Sequence, residues 1–267
     1  MKTKVAIYSI LITLAVLALA SCKKIITLDL GNVSGKLVIE GNMTNVAGPQ
    51  YVILSRNVPF TSLNVYPPVS GATVSITDSN GQQFQLTEGP AGTYSVDPAQ
   101  GRVGDSYLLS VTTGGQTYTS NSTMPGVVAL DSISAKPNYF NTSDGEKVIT
   151  VHFQDPPNIV NQYRFVMYVN SVQVKSIFAN NDQFIDGKYV NLDLQENDTK
   201  IYSGDTVKVE MQNIDKPVYT YWFTLSQQQA NNPGGQVAPA NPPSNITPTT
   251  IGYFSAHTTQ TITLIVK

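Results

Sequence analysis

The stretch Ala72-Thr73-Val74-Ser75-Ile76-Thr77-Asp78-Ser79-Asn80-Gly81-Gln82-Gln83-Phe84-Gln85-Leu86 decides the fold class. Thr73, Ser75 and Thr77 alternate with Val74 and Ile76, and Phe84 and Leu86 resume the alternation beyond Asn80-Gly81. A period of two sends apolar side chains to one face of a strand. Asn-Gly between two such runs predicts a hairpin with a type I′ turn, because both residues tolerate positive φ. The pattern continues outward. Leu37-Val38-Ile39-Glu40 and Tyr51-Val52-Ile53-Leu54 precede the hairpin, and strands near 107–112 and 116–122 flank Gly114-Gly115. Closely spaced strands with turn residues between them predict an antiparallel sandwich over residues 35–125, ending near Pro125-Gly126.

Residues 126–267 repeat the theme as a second β-rich domain. Ile149, Val151 and Phe153 share one face, as do Tyr163, Phe165, Met167 and Val169. Further strands fit near 172–178, 188–194 and 206–211. The period then changes, because Val218, Tyr221, Trp222 and Leu225 recur at helical spacing. One helix is predicted over 217–230, with Pro217 at its first position, Asp215 near its positive end, and Trp222 in the packed stripe. Residues 231–250 carry five prolines and read as extended chain, either surface padding or a segment presented to a partner. Gly252-Tyr253-Phe254-Ser255-Ala256 and Thr261–Val266 read as two closing strands. The fold class is mostly all-β: two β-sandwich modules, the second carrying one packed α-helix.

The N-terminus opens with Lys2 and Lys4, a nearly unbroken apolar run from Val5 to Ala20, and then Ser21-Cys22. That run falls short of the ~20 residues of a spanning helix, so residues 1–21 read as an export signal. Leu19-Ala20-Ser21-Cys22 resembles the lipobox of bacterial lipoproteins, in which the thiol is lipidated and becomes the first mature residue. Cys22 is the only cysteine, so no disulfide or thiolate metal site is open to the mature chain. Several acyl chains are needed for firm attachment, since each buried CH₂ contributes about 0.8 kcal/mol and one chain holds marginally. Residues 22–34 read as the tether. The expected partner is therefore a lipid bilayer, reached through acyl chains on Cys22.

Composition narrows the function classes. Charged residues make up 13% of the chain, against about 25% in an ordinary soluble domain. The net charge of -2 becomes -4 when Lys2 and Lys4 leave with the signal. Without a basic patch, nucleic acid is not an expected partner. His152 and His257 are the only histidines, and His152 falls on the polar face of a strand, where a solvated side chain is expected. Gly-x-Ser-x-Gly, His-Glu-x-x-His and Walker-type loops are absent from the sequence. Asp78-Ser79-Asn80-Gly81 lacks the remaining acids of an EF-hand and reads as a turn. Asp182, Asp186, Asp193, Glu196 and Asp198 offer oxygen ligands to a hard cation, but their spacing matches no cage and solvated loops are the expectation. Neither cofactor nor catalysis is expected. Tyr66, Tyr139 and Phe140 lie in loop-like contexts and form the candidate contact patch, since aromatic faces stack on sugars and other flat partners.

Several motifs then occur in order: the lipobox, Leu28-Asp29-Leu30, Lys36-Leu37-Val38-Ile39-Glu40-Gly41, Ser70-Gly71-Ala72-Thr73-Val74 and Gly92-Thr93-Tyr94. Pro243-Ser244-Asn245-Ile246 and Gly252-Tyr253-Phe254-Ser255 close the series. Together they resemble a family of Bacteroidota lipoproteins catalogued as domain of unknown function 4249. The resemblance implies an outer-membrane lipoprotein with an immunoglobulin-like first half, encoded near TonB-dependent transporters. It implies no catalytic residues. Lys23 and Lys24 stand where surface-exported lipoproteins of that phylum carry acids, so outward and periplasmic facing both stay open. Asp131-Ser132-Ile133 and Asp205-Thr206-Val207 match the short pattern used there for O-glycosylation, which makes Ser132 and Thr206 candidate acceptors. The expected function is non-enzymatic: an outer-membrane lipoprotein that captures ligand for a TonB-dependent transporter or docks on it. The alternative is a structural or adhesive glycan-binding surface module.

Overall fold

The computed structural model describes residues 34–59, 62–63, 65–139, 145–229 and 241–267. Cys22, the tether before Ser34, Phe140 and residues 231–240 of the Pro-rich stretch lie outside the described residues. The first sandwich is built from β1 (Leu37–Thr44), β2 (Gly48–Arg56), β3 (Thr73–Asp78), β4 (Gln83–Glu88), β5 (Thr93–Ala99), β6 (Ser106–Thr113) and β7 (Gln116–Thr123). β1, β2 and β5 form one layer, and β3, β6 and β7 the other. β4 pairs with β3 from Val74↔Leu86 to Thr77↔Gln83, and with β5 at Thr87 and Glu88, so it passes from one layer to the other. Inward residues of both layers meet in one core that includes Ile39, Leu54, Val74, Ile76, Leu109 and Val111. This module is the immunoglobulin-like one.

The predicted hairpin is present, but its turn differs. Only Gly81 takes positive φ, at 85°. The Gly81 N–H donates to the Asp78 carbonyl at 3.0 Å and the Asp78 N–H to the Gln82 carbonyl at 2.9 Å. The result is a three-residue loop with glycine at its left-handed position. The Asp78 carboxylate selects it by accepting the N–H groups of Asn80 (2.9 Å) and Gln82 (2.8 Å), as a short aspartate side chain does in turns. Both φ values are positive instead at Gly114-Gly115, the two-residue connection of β6 and β7.

The second sandwich contains β8 (Leu130–Pro137), β9 (Lys147–Gln154), β10 (Gln162–Val169), β11 (Val172–Gln173), β12 (Phe178–Asn181), β13 (Tyr189–Leu194) and β14 (Thr206–Asn213). β8, β9 and β13 make a three-stranded layer, while β10 and β14 face it across a core holding Phe153, Tyr163 and Phe165. The Phe153 and Tyr163 ring centroids are 4.9 Å apart and tilted, an arrangement aromatic pairs favour. The single strand expected at 172–178 is two short ones. β11 pairs with the far end of β10 and β12 with its beginning, so the intervening residues leave the sheet.

β15 (Ile246–Thr247) pairs with β7, and β16 (Ile251–Ile265) closes both modules. The two expected closing strands are this one 15-residue strand. Its first half runs parallel to β1 from Val38↔Ile251 to Thr44↔His257. Its second half runs antiparallel to β14 from Asn213↔Thr258 to Thr206↔Ile265. The residues of the two cores divide near residue 125 along the chain, up to β14. The chain does not divide there, because Ile246, Phe254 and Ala256 belong to the first core and Val266 to the second.

The helix α1 (Lys216–Gln229) starts one residue before the expected position. Asp215 is its N-cap: its carboxylate Oδ1 accepts the Val218 N–H at 3.1 Å. Pro217 therefore takes the second helical position. Val218, Tyr221, Trp222 and Leu225 pack with Ile214 and Tyr253, as the stripe predicts. The other Asp215 oxygen accepts the Ser122 hydroxyl at 2.7 Å, and Ser122 Oγ in turn accepts the Ala256 N–H at 2.8 Å. One carboxylate thus ties α1 to β7 and, through Ser122, to β16. Asp215→Ala is expected to cost about 2 kcal/mol in urea unfolding near pH 7, through the lost cap and the stranded Ser122 hydroxyl. Asp215→Asn keeps an acceptor and should lose less than half of that; equal losses would disprove the tie.

Candidate functional site

β2 is apolar on both faces: Val52 and Leu54 enter the core, whereas Tyr51 and Ile53 point outward and remain 45% and 43% exposed. Cross-strand pairing sets Ile53 beside Glu40 and Ser55 beside Val38 on this outer face. A groove of about 670 Å³ opens there, lined among others by Val38, Glu40, Ser55, Asn57, Pro59 and Tyr66. A second groove, of about 590 Å³, shares Asn241 and Ile251 with it and includes Lys36, Arg56, Tyr118 and Pro243. Burial pushes the Glu40 carboxyl above the usual carboxylate range, with the Arg164 guanidinium opposing the shift. The outer face of β1 and β2 therefore offers apolar and aromatic surface around one carboxyl that resists ionisation. Exposed apolar and aromatic side chains gathered on one strand face are a candidate interaction surface.

Tyr66 from the predicted patch belongs to this groove and is exposed. Tyr139 is also exposed, but it follows β8 on the second sandwich and does not line the groove. Tyr51 and Ile53 were not singled out by sequence reading. The signal was the run Tyr51-Val52-Ile53-Leu54 itself, since a strand apolar on both faces needs two covered faces. Trp222 is a packing residue, as expected: Arg164 stacks over its ring at 3.7 Å, and its centroid lies 5.0 Å from that of Tyr253.

His152, expected to be solvated, is hydrogen-bonded through both ring nitrogens. His152 lies on the outer face of the three-stranded layer between two partners. Its Nε2 is 2.7 Å from Ser134 Oγ and its Nδ1 2.6 Å from Asn191 Oδ1. The order hydroxyl, imidazole, carbonyl oxygen imitates a nucleophilic triad. The third member is neutral, however, and supplies no charge to stabilise an imidazolium. His257 is buried on β16, with its Nδ1 3.0 Å from Ser255 Oγ.

The acidic residues of 182–198 are dispersed by the fold. Asp193 pairs with Lys136 at 2.8 Å and accepts the Thr150 hydroxyl at 2.7 Å. Glu196 accepts the N–H groups of Asp198 (2.7 Å) and Thr199 (3.1 Å), closing a turn. Asp182 and Asp186 instead meet Asp155, and one oxygen from each lies within 4.8 Å of the others. Sequence reading did not select Asp155, because it stands far from the other two along the chain. The two candidate glycosylation acceptors are exposed: Ser132 at a register shift in β8, and Thr206 at the first position of β14.

A family model described as a domain of unknown function, DUF4249, matches residues 23–263. The chain belongs to this family. No curated protein matches it. Among solved structures, a two-domain fibronectin type-III segment from chicken tenascin matches at 14% identity, covering 67% of this chain and 90% of that one, with a TM-score of 0.21. The motifs that carry the DUF4249 resemblance are scaffold. The Tyr94 hydroxyl donates to the Val69 carbonyl (3.0 Å) and accepts the Ala72 N–H (2.9 Å). Glu88 accepts the N–H groups of Gly71 and Gly92, both at 2.9 Å, and these bonds hold its carboxyl down at about 2. The Asn245 amide brackets Phe254, donating to its carbonyl at 2.7 Å and accepting its N–H at 3.0 Å. Asn245 thereby occupies backbone groups on an edge of β16 that would otherwise invite another strand.

Proposed function

We propose that this chain is a non-enzymatic lipoprotein, held at the outer membrane by acyl chains on Cys22, whose first sandwich docks on a TonB-dependent transporter or captures ligand for it. The observation that carries the reading is the outward apolar face of β2 beside the Tyr66 groove. The lipobox thiol gives that face a location. Fourteen residues lie between Cys22 and Leu37, and fully extended chain spans at most about 3.4 Å per residue, so the tether can reach no more than ~50 Å. Confinement near a bilayer raises the effective concentration toward a membrane partner, and a modest contact patch then suffices. The exposed rings of Tyr51 and Tyr66 also support the second reading, a glycan-binding surface, because such rings stack on sugar faces.

The test has two arms. Cys22→Ala is expected to move the protein from the membrane fraction to a soluble or unprocessed form, and a variant still membrane-bound after a high-salt wash would remove the anchor. Ile53→Lys combined with Tyr66→Ala alters exposed side chains, sets an opposite charge beside Glu40, and should leave the unfolding free energy within about 1 kcal/mol of the parent. Purification in mild detergent is expected to recover a transporter with the parent and to lose it with this variant. Transporter retained equally by both would remove the surface from the reading, and a glycan-array signal abolished by the variant would favour the second one.

A further inference from the structure

We propose that Asp155, Asp182, Asp186 and Asn161 form a calcium site at one end of the second sandwich, independent of the docking surface. Three segments converge there: the residue after β9, the start of β10, and the turn between β12 and β13. Asp155 is fully buried, and a carboxylate oxygen from each aspartate lies within 4.8 Å of the others. Each carboxylate is oriented by a neighbour. Asp155 accepts the Tyr163 hydroxyl and, at 3.1 Å, the Gly187 N–H. Asp182 accepts the Asn161 N–H at 2.5 Å, and Asp186 the Asn158 N–H at 2.8 Å. These donors fix the carboxylates without neutralising them. Among the described residues no Lys, Arg or His pairs with any of the three; the nearby Lys188 ammonium donates to the Phe184 carbonyl.

The independent observation is Asn161. This residue is 5% exposed, and its side-chain Oδ1 is buried without any hydrogen-bond partner. Its backbone N–H is bonded to the Asp182 carboxylate, which seats the residue directly against the cluster. A buried carbonyl-type oxygen without a donor is costly and rare in a folded protein. A cation seated among the carboxylates would satisfy it and relieve the mutual repulsion of three close negative charges. The donor set is oxygen only, three carboxylates and one amide, which selects a hard cation over zinc or copper. Calcium fits best, because it takes six to eight oxygens at about 2.3–2.6 Å with irregular geometry, whereas magnesium demands a near-ideal octahedron. Extracellular calcium modules bind at about 10⁻⁴–10⁻³ M, the range expected here.

The experiment uses the full chain purified in detergent and stripped with a chelator. Calcium at about tenfold excess over its Kd is expected to raise the thermal midpoint by about 3 °C or more. Terbium is expected to show tyrosine-sensitised emission from Tyr163 that calcium displaces. Asp186→Asn, an exposed position with one hydrogen bond, should weaken calcium binding at least tenfold in titration calorimetry and should fold even if Asp155→Asn does not. Asp193→Asn, which sits outside the cluster, should keep the parent response. A midpoint unmoved by ~10 mM calcium, an equal shift with magnesium, or an Asp186→Asn response equal to the parent would each overturn the site.

Discussion

Replacing Gly252 with alanine is expected to destabilise both sandwiches by more than about 4 kcal/mol, the range reserved for a few severe mechanisms. Two of those mechanisms coincide at this residue. Its φ is +107°, where a side chain is strained, and an added Cβ would lie 1.9 Å from the Ile39 carbonyl oxygen. The clash is with backbone and not with the end of a flexible side chain, so relief requires β1 and β16 to separate. Gly252 pairs with Ile39 in the parallel ladder, next to Phe254 in the first core. The same strand continues into the ladder with β14, so loosening its first half also removes an anchor from the second. The thermal midpoint should fall by more than about 8 °C, with early proteolysis of the C-terminal strand. Gly126→Ala, where an added Cβ meets nothing within 4 Å and φ is ordinary, is the neutral control. A loss below about 1 kcal/mol for Gly252→Ala would mean that the parallel pairing is not as described.

Acidification from about pH 6.5 to pH 4 is expected to remove about 3 kcal/mol of stability through His257. Burial pushes this imidazole from its ordinary value near 6.5 down to about 4; Glu210 opposes the shift and Arg164 adds to it. The folded state thus holds the ring neutral while the unfolded chain takes up a proton. Its contribution is complete above pH 6.5 and is lost as pH falls through the folded value. Glu40 and Asp215 act with the opposite sign. Burial raises their carboxyls, so the folded state binds protons more readily and gains stability as pH falls through their range. A direct pH scan therefore mixes the terms. The difference between the parent and His257→Gln, measured by urea unfolding at several pH values, isolates the imidazole. That difference should shrink by about 3 kcal/mol between pH 7 and pH 4. A constant difference would show that His257 is not held neutral by burial.

Much of the β architecture was legible because its signals are local. Val74 and Ile76 against Thr73 and Ser75 define a strand face without reference to any distant residue, and Gly81 or Gly114-Gly115 marks a reversal by its own conformational freedom. The helix was legible from Val218, Tyr221, Trp222 and Leu225. Its start was misplaced by one residue, because Asp215 is recruited as a cap by α1 and held there by Ser122 from another strand. The turn at Asn80-Gly81 differed for a related reason: the Asp78 carboxylate chose among turns of similar energy. The candidate sites were harder. Tyr66 was found because Pro67-Pro68 marks a loop, whereas Tyr51 and Ile53 looked like core. Asp155 stayed hidden because its cluster forms only when β9 and the turn after β12 are brought together.

From the sequence alone came the expectation of an export signal ending at Cys22, the succession of alternating strands, and the single amphipathic helix. Each rests on neighbours within a few residues, whose spacing sets which face a side chain takes. Tertiary structure alone decided that β1 finds β16, that one strand serves two cores, and that three carboxylates converge beside the Asn161 backbone. Those outcomes depend on segments as far apart as Val38 and Ile251. Their pairing energies exist only once the segments touch, so no local pattern of residues can encode them.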